Sequence, residues 1–210
     1  MFCEPDFLKK TAQNCWRPGG LELTRHGLAL CNFPKRARIA DIGCGMGASV
    51  RMLRQDGYSC IGLEKNLQAT DIPQIQGQAE ALPFAKESLH GILCECVLSL
   101  LQNPGRILRN FWEVCRFDGS LLLTDLYIKK GESPSSGGPF SRQKLENTLS
   151  EAGWQVAHFE DHSKALKEFA ANLLWYEKQD EVPWSQNIPG GDIPWRDCGY
   201  GLWIAQKERL

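Results

Sequence analysis

The sequence lacks the features that mark several large classes of protein. It has no apolar run near the ~20 residues that a transmembrane helix needs, and the N-terminal "MFCEPDFLKK" is charged where a signal peptide is apolar. Its 24 basic residues face 25 acidic ones, so the basic excess of a general nucleic-acid binder is missing. These absences predict a cytoplasmic protein that binds neither a membrane nor nucleic acid.

Metal-ligand spacing is also missing, although cysteine itself is abundant. The chain has nine cysteines but no CxxC pair, which disfavours a zinc ribbon, and no metal ion is predicted. An odd number, with several in strand-like or helix-like runs, is typical of reduced thiols that pack as small apolar side chains. The one close pair is Cys94 and Cys96.

Apolar strand-like runs alternate with amphipathic helical stretches from residue 38 to residue 161. Such alternation predicts an α/β fold, with a mostly parallel sheet and helices on both of its faces. The spacing also predicts a helix over 21–31 and a short helix in "NLQATD" at 66–71. Ligands of such sheets bind beyond the carboxyl ends of the strands.

The 210 residues suit a single domain. We expect residues 1–37 to form a helical lid and residues 38–161 to form the ligand-binding core. Residues 162–198 are predicted to be a helical and aromatic insertion, and residues 199–208 the last strand. The sequence leaves both a monomer and a homodimer open.

Three glycines crowd into five positions in "RIADIGCGMGAS" at 38–49. Glycine is costly inside regular structure, so a strand, a glycine loop and a helix in succession predict a ligand close to the backbone. Gly43, Gly45 and Ala48 also fit the dinucleotide pattern G-x-G-x-x-A. A nucleotide-like ligand needs an acid for its ribose hydroxyls, and Glu64 stands at the end of the second strand, where that acid is expected.

A second phrase separates the alternatives. "GQAEALPF" at 77–84 resembles the "GDAExLPF" phrase of class I S-adenosylmethionine-dependent methyltransferases, with Gln78 in place of the usual aspartate. The stretch 106–127 is similar to the family's following helix and fifth strand, and the resemblance covers residues 38–161. It implies a Rossmann-like, mostly parallel seven-stranded sheet with an antiparallel last strand, and S-adenosyl-L-methionine as the cofactor.

The resemblance also implies cofactor contacts. The glycine loop would approach the methionine part, Asp41 would orient that loop or the cofactor's amino group, and Glu64 would hold the ribose. Arg17 would pair with the cofactor's carboxylate, because a guanidinium binds carboxylates through two parallel hydrogen bonds. The predicted cofactor-binding residues are Arg17, Asp41, Gly43, Cys44, Gly45, Gly47, Glu64, Lys65, Asn66, Gln78, Ala79, Glu80, Cys94 and Glu95.

Two predicted catalytic residues lie at the end of the fourth strand. Glu95 is expected near the transferred methyl group, as a base for a hydroxyl acceptor or as a cofactor contact. Cys96 falls on the metalloid-binding cysteine of the "NCVxNL" phrase of arsenite methyltransferases, although Ser135 replaces a further cysteine of those enzymes. His26 and His162 are candidate bases from the flanks.

Three functions stay open. The first is methyl transfer to a small-molecule acceptor, favoured by the aromatic residues of the 162–198 insertion. The second is a thiol-dependent methyltransferase of a metalloid or chalcogen. The third is a module that binds S-adenosylmethionine without turnover, which the exchange at Gln78 keeps open.

Overall fold

The computed structural model describes residues 15, 17–67, 70–131, 138–177 and 193–208. The helices in these ranges are α1 (Gly20–Cys31), α2 (Ala48–Gln55), α3 (Pro104–Val114), α4 (Arg142–Glu151) and α5 (Ser163–Glu177). The strands are β1 (Arg38–Ile42), β2 (Ser59–Glu64), β3 (Gln74–Gln76), β4 (Leu89–Glu95), β5 (Cys115–Ile128), β6 (Phe140–Ser141), β7 (Gln155–Asp161) and β8 (Cys198–Gln206).

The strands form one sheet in the order β3-β2-β1-β4-β5-β8-β7, and the two-residue β6 pairs with β5 beside this path. Strands β1 to β6 pair in parallel, whereas β8 runs antiparallel to both β5 and β7. This arrangement confirms the predicted fold class, including the antiparallel last strand. The short β6 adds an eighth strand that the sequence did not indicate.

Helices cover both faces of the sheet because each presents an apolar stripe. On one face, α3 buries Ile107, Leu108 and Phe111 in a core that also takes in α4. On the other face, α1 and α2 contribute Leu28 and Leu53 to a second core. The central strands are buried on both sides, which explains their unbroken apolar runs.

Some sequence predictions fall outside the structure or fail in it. The predicted helix over 66–71 is wrong in the residues that are described there, which are bends and coil. The lid prediction includes 1–14 and the insertion prediction includes 178–192, and both stretches lie outside the described residues, as does Ser135. None of the helices that the structure describes combines the length and the apolarity needed to span a membrane.

Candidate active site

The carboxyl ends of β1, β2 and β4 meet at one edge of the sheet. Ile42 is in register with Leu63 of β2 and with Cys94 of β4, so the residues that follow each strand lie side by side. The chain order reverses between β1 and β4, because β2 and β3 lie on one side and β5 on the other. Such a switch point opens a crevice for a ligand.

The glycine loop after β1 takes a conformation that favours glycine. Gly43, Gly45 and Gly47 have φ angles of +71°, +52° and +74°, in the left-handed region. The amides of Gly43 and Cys44 both donate to Leu63 O, at 2.8 and 3.2 Å, which fastens the loop to β2. A Cβ on Gly45 would meet no atom within 4 Å. The loop therefore presents bare backbone to open space at Gly45.

Glu64 holds this loop in place. Its Oε2 accepts a hydrogen bond from Gly45 N at 3.0 Å, and its Oε1 accepts one from Asn66 N at 3.1 Å. Gln74 Nε2 donates to Gly45 O at 3.0 Å, so side chains on β2 and β3 bind both the amide and the carbonyl of Gly45. Gln74 was missed from the sequence because β3 is only three residues long and has no distinctive pattern.

Gly43 also sets how closely the loop packs on the segment after β4. A Cβ on Gly43 would lie 2.4, 3.1 and 3.3 Å from Cγ2, Cγ1 and Cβ of Val97, a short branched side chain that cannot swing clear. We expect Gly43→Ala to lower the free energy of unfolding by about 2–4 kcal/mol, from backbone strain and overpacking. Urea denaturation measures the change.

The matched control is Gly57→Ala. Gly57 has φ +89°, but a Cβ there would meet nothing within 4 Å. It should cost only the backbone strain of about 1–2 kcal/mol. Equal losses at both glycines would contradict the packing argument for Gly43.

Asp41 is a buried carboxylate, 4% exposed, at the end of β1. None of the described residues donates a hydrogen bond to this carboxylate. Burial raises the pKa of Asp41 to about 7, the negative charge of Glu95 adds to the rise, and the guanidinium of Arg17 opposes it. A cation placed beside Asp41 would relieve this cost.

Arg17 and Glu95 form a buried ion pair beside Asp41. Arg17 Nη2 lies 2.8 Å from Glu95 Oε2, and the two side chains are 12% and 3% exposed. The same Nη2 donates to Thr24 Oγ1 at 2.5 Å and to Ser49 Oγ at 2.8 Å. Both hydroxyls donate onward to Glu95, at 2.9 and 3.2 Å. The cluster joins the segment before α1, the helices α1 and α2, and strand β4.

This pairing was not predicted from the sequence. Arg17 was expected on the cofactor's carboxylate, and in the structure its guanidinium already has Glu95 as a partner. Thr24 and Ser49 were missed, although each is a polar residue on the buried face of a helix, at 0% and 3% exposure. That position is the signal that could have identified them.

Cys96 follows Glu95 with a φ of +57°, which is unusual for a residue other than glycine. Its Sγ lies 3.0 Å from the hydroxyl of Tyr200, which donates to Thr124 Oγ1 at 2.9 Å. Burial, with the nearby Asp125 carboxylate, raises the pKa of the Cys96 thiol well above its usual range. The sulfur is therefore a neutral thiol, and β8 supplies a neighbour, Tyr200, that the sequence did not indicate.

The remaining predicted residues are spread along the same edge. Cys94 is fully buried in the core, and burial raises the pKa of its thiol. Cys44 is half-buried, and Gln74 Nε2 lies 3.7 Å from its Sγ. Gln78 pairs with Ala81 in an isolated bridge after β3. Lys65, Asn66 and Gln78 are exposed, Glu80 is half-buried, and Ala79 is buried.

The two candidate histidines do not join the Glu95 cluster in the described structure. His26 and His162 each place Nε2 2.8 Å from Glu160 Oε2 instead. His26 is on the exposed side of α1, whereas Thr24 on the same helix is buried against Glu95. The structure therefore gives neither histidine a contact through which it could serve Glu95.

Comparison with known proteins agrees with this architecture. The family described as "Methyltransferase domain" matches residues 40–123, which run from β1 into β5. Rat arsenite methyltransferase is 23% identical over 152 residues, covering 59% of this chain and 40% of the rat protein. The chain thus spans less than half the length of that relative. Demethylmenaquinone methyltransferase of Renibacterium salmoninarum is 23% identical over 175 residues, covering 79% of this chain and 71% of that one.

Solved structures share the whole fold at low sequence identity. The [4+2]-cyclase SpnF has a TM-score of 0.71 at 17% identity, covering 96% of this chain and 86% of the cyclase. Phosphoethanolamine N-methyltransferase 2 of Haemonchus contortus, in complex with S-adenosyl-L-methionine, has a TM-score of 0.72 at 16% identity, covering 98% of this chain and 60% of that chain.

The matched domain and the strand order describe the same part of the molecule. Residues 40–123 hold the glycine loop, Glu64 and Glu95, and the complete sheet adds the antiparallel β8 between β5 and β7. The domain match and the fold together support a class I S-adenosylmethionine-dependent methyltransferase.

Proposed function

We propose that this protein transfers a methyl group from S-adenosylmethionine to a small-molecule acceptor. The observation that carries the proposal is the buried carboxylate of Asp41 beside a glycine loop with open space at Gly45. Burying the ionised carboxylate costs free energy that a bound cation would offset. The open space at Gly45 would admit a cationic ligand close to the backbone. The fold alone is insufficient, because the [4+2]-cyclase SpnF shares it.

The charges of the site suit this cofactor. Asp41 interacts with the negative charges of Glu64 and Glu95 and with the positive charge of Arg17, so carboxylates outnumber guanidinium groups among these residues. Such an excess of negative charge favours a ligand that carries a sulfonium and an ammonium group. Glu64 already accepts two amide hydrogen bonds. A carboxylate has about four acceptor positions, so Glu64 can also accept ribose hydroxyls.

The chain's own residues would mainly position the reactants. Asp41 would accept from the cofactor's amino group, and Glu64 would hold both the loop and the ribose. Glu95 already pairs with Arg17 and accepts hydrogen bonds from Thr24 and Ser49. These contacts suit a structural role at the edge of the site better than a role as a general base. When bound, the cofactor supplies a methyl group activated by its sulfonium. Alignment of that group with an acceptor then accounts for most of the rate enhancement.

A small organic acceptor is supported by how the site is closed. Helix α1 contacts this edge through Thr24, and Arg17, in the segment that leads into α1, pairs with Glu95. A site enclosed in this way suits a compact substrate better than a polymer. The Haemonchus contortus neighbour is named for phosphoethanolamine, which is a small acceptor.

A metalloid acceptor is a second candidate, and it rests on the likeness to rat arsenite methyltransferase. Trivalent metalloids prefer two or three thiolates. The Cys96 thiol is half-buried, lies within hydrogen-bond distance of the Tyr200 hydroxyl and has a raised pKa, which weighs against this role. Methylation of arsenite that Cys96→Ser abolishes, with cofactor binding unchanged, would favour the metalloid acceptor.

Calorimetry with S-adenosylmethionine and S-adenosylhomocysteine tests the cofactor, and a panel of small amines, alcohols, thiols and arsenite tests the acceptor. Binding of both cofactor forms with transfer to an organic acceptor supports the proposal. Binding without transfer to any member of the panel would instead favour a non-catalytic module. Failure of both cofactor forms to bind would contradict the proposal at its first step.

Gly45→Val separates cofactor binding from folding. The new side chain would enter space that no protein atom occupies within 4 Å, so the stability loss should be limited to backbone strain of about 1–3 kcal/mol. Cofactor affinity should fall at least tenfold, because the branched side chain fills the approach to the loop. Calorimetry on folded protein measures this loss. Unchanged affinity would refute the placement of the cofactor at Gly45.

A further inference from the structure

Three of the four histidines in the chain converge on one carboxylate. His26 and His162 place Nε2 at 2.8 Å from Glu160 Oε2, and His158 places Nε2 at 2.8 Å from Oε1. The ring centroids of His26 and His162 are 6.1 Å apart. This His-Glu cluster is separate from the Asp41 and Glu95 site.

The fold explains the convergence. His158 and Glu160 are two residues apart on β7, so they share one face of that strand. His162 follows the end of β7, where its amide donates to Tyr200 O at 2.7 Å. His26 reaches the same point from α1, 134 residues away from Glu160 in sequence. The "HFEDH" spacing brings three donors together, and α1 adds the fourth.

We propose that His26, His158, Glu160 and His162 form a binding site for a divalent transition-metal ion, best matched by Zn²⁺. Donor atoms of His26, Glu160 and His162 all lie within 4.8 Å of one another. Ligands about 2.0–2.1 Å from a tetrahedral zinc are separated by about 3.3–3.4 Å, so small side-chain movements suffice. His158 lies 2.8 Å from the other oxygen of Glu160 and outside this group of three, so it would need a larger movement to supply a third nitrogen.

The chemistry of the donors sets the class of metal. Imidazole nitrogens suit Zn²⁺, Cu²⁺ and Ni²⁺, whereas Mg²⁺ and Ca²⁺ prefer all-oxygen sites. The four side chains are 27–47% exposed, so an ion can enter from solvent.

Ion pairing alone would make this cluster contribute little to the stability of the fold. Exposed histidine–carboxylate pairs stabilise a fold by at most about 1 kcal/mol each, and the second and third imidazoles gain less because they share one carboxylate. Four ligands around a metal would instead link α1 firmly to β7. Thr24, two residues from His26, donates to Glu95, so the metal would also steady the helix that covers the active site.

The test uses the chain without an affinity tag, freed of metal with a chelator. Calorimetric titration with Zn²⁺ should show one ion per chain, and Mg²⁺ should not bind there. At about a hundredfold excess over the dissociation constant, Zn²⁺ should raise the melting temperature by roughly 5–10 °C. His26→Gln and His162→Gln should each weaken binding at least tenfold, without changing the melting temperature of the metal-free chain by more than a few degrees.

The matched control is His90→Gln, which removes the fourth histidine. His90 lies on β4, three strands away from β7 in the sheet, and contacts Arg38 N and Arg116. Its loss should therefore leave Zn²⁺ binding unchanged. Co²⁺ substitution distinguishes the ligands, since cysteine ligation gives an intense sulfur-to-cobalt charge-transfer band and a nitrogen and oxygen set does not. No binding, binding that the His26 and His162 variants leave intact, or a charge-transfer band would overturn the proposal.

Discussion

Asp41→Asn is expected to make the protein more stable and its cofactor binding weaker. Burial raises the pKa of Asp41 from 3.8 to about 7. A carboxyl with a raised folded-state pKa binds its proton more tightly in the folded protein, so stability falls as pH rises from about 4 to 7. Above pH 7 the full cost of ionisation, about 4 kcal/mol, is present.

Asparagine removes this cost because it carries no charge. The asparagine amide remains incompletely hydrogen-bonded, which destabilises the variant by about 1–3 kcal/mol. We therefore expect the free energy of unfolding to rise by a net of about 1–3 kcal/mol at pH 8. The gain should shrink as pH falls towards 4. Urea denaturation across this pH range measures it, with Asp71→Asn as the control, since Asp71 is 78% exposed and has a lowered pKa.

Cofactor affinity should change in the opposite direction. A cationic ligand prefers ionised Asp41, whose ionised fraction rises about eightfold between pH 6 and pH 7.5 for a pKa of about 7. S-adenosylhomocysteine, through its ammonium group, should therefore bind about eightfold more tightly to the parent protein at pH 7.5, and Asp41→Asn should bind weakly with little pH dependence. A variant that loses stability but retains tight binding would contradict both roles of Asp41. Stability given up for binding is a common feature of functional sites.

The parts of the site that depend on residues close together in the chain could be predicted from the sequence. The positions of the three glycines after β1 and of the acid that ends β2 follow from where the strands end, and the parallel order places those ends together. Local pattern failed at 66–71, where the helical composition is overridden because Glu64 Oε1 accepts from Asn66 N and turns the chain. The other oxygen of this carboxylate accepts from Gly45 N, so Glu64 also orders the glycine loop.

Contacts between distant parts of the chain could not be predicted from one sequence. Thr24 and Glu95 are 71 residues apart, and Tyr200 reaches Cys96 across 104 residues. The antiparallel β8 was predicted, but the inward direction of Tyr200 depends on its register with β5, where Leu126 is its partner. Side-chain partners of this kind follow from tertiary packing rather than from periodicity.

The ion pair between Arg17 and Glu95 leads to the largest expected loss of stability. Arg17→Met leaves the Glu95 carboxylate buried without its cation, with only Thr24 and Ser49 donating to it. Removing one partner of a buried pair costs about 3–5 kcal/mol, which urea denaturation can measure. Arg25→Met is the matched control, because Arg25 pairs with Asp56 at an exposed position, 56% and 34% exposed, and should cost at most about 1 kcal/mol.

The double variant Arg17→Met/Glu95→Gln distinguishes an uncompensated charge from simple loss of packing. Glutamine can still accept from Thr24 or Ser49 but carries no charge, so the double variant should recover about 2 kcal/mol or more relative to Arg17→Met. If the double variant is no more stable than Arg17→Met, the loss comes from packing of the arginine stem. A recovered fold with weak cofactor binding would show that the pair shapes the site rather than merely supporting the sheet, because α1, α2 and β4 are all joined through it.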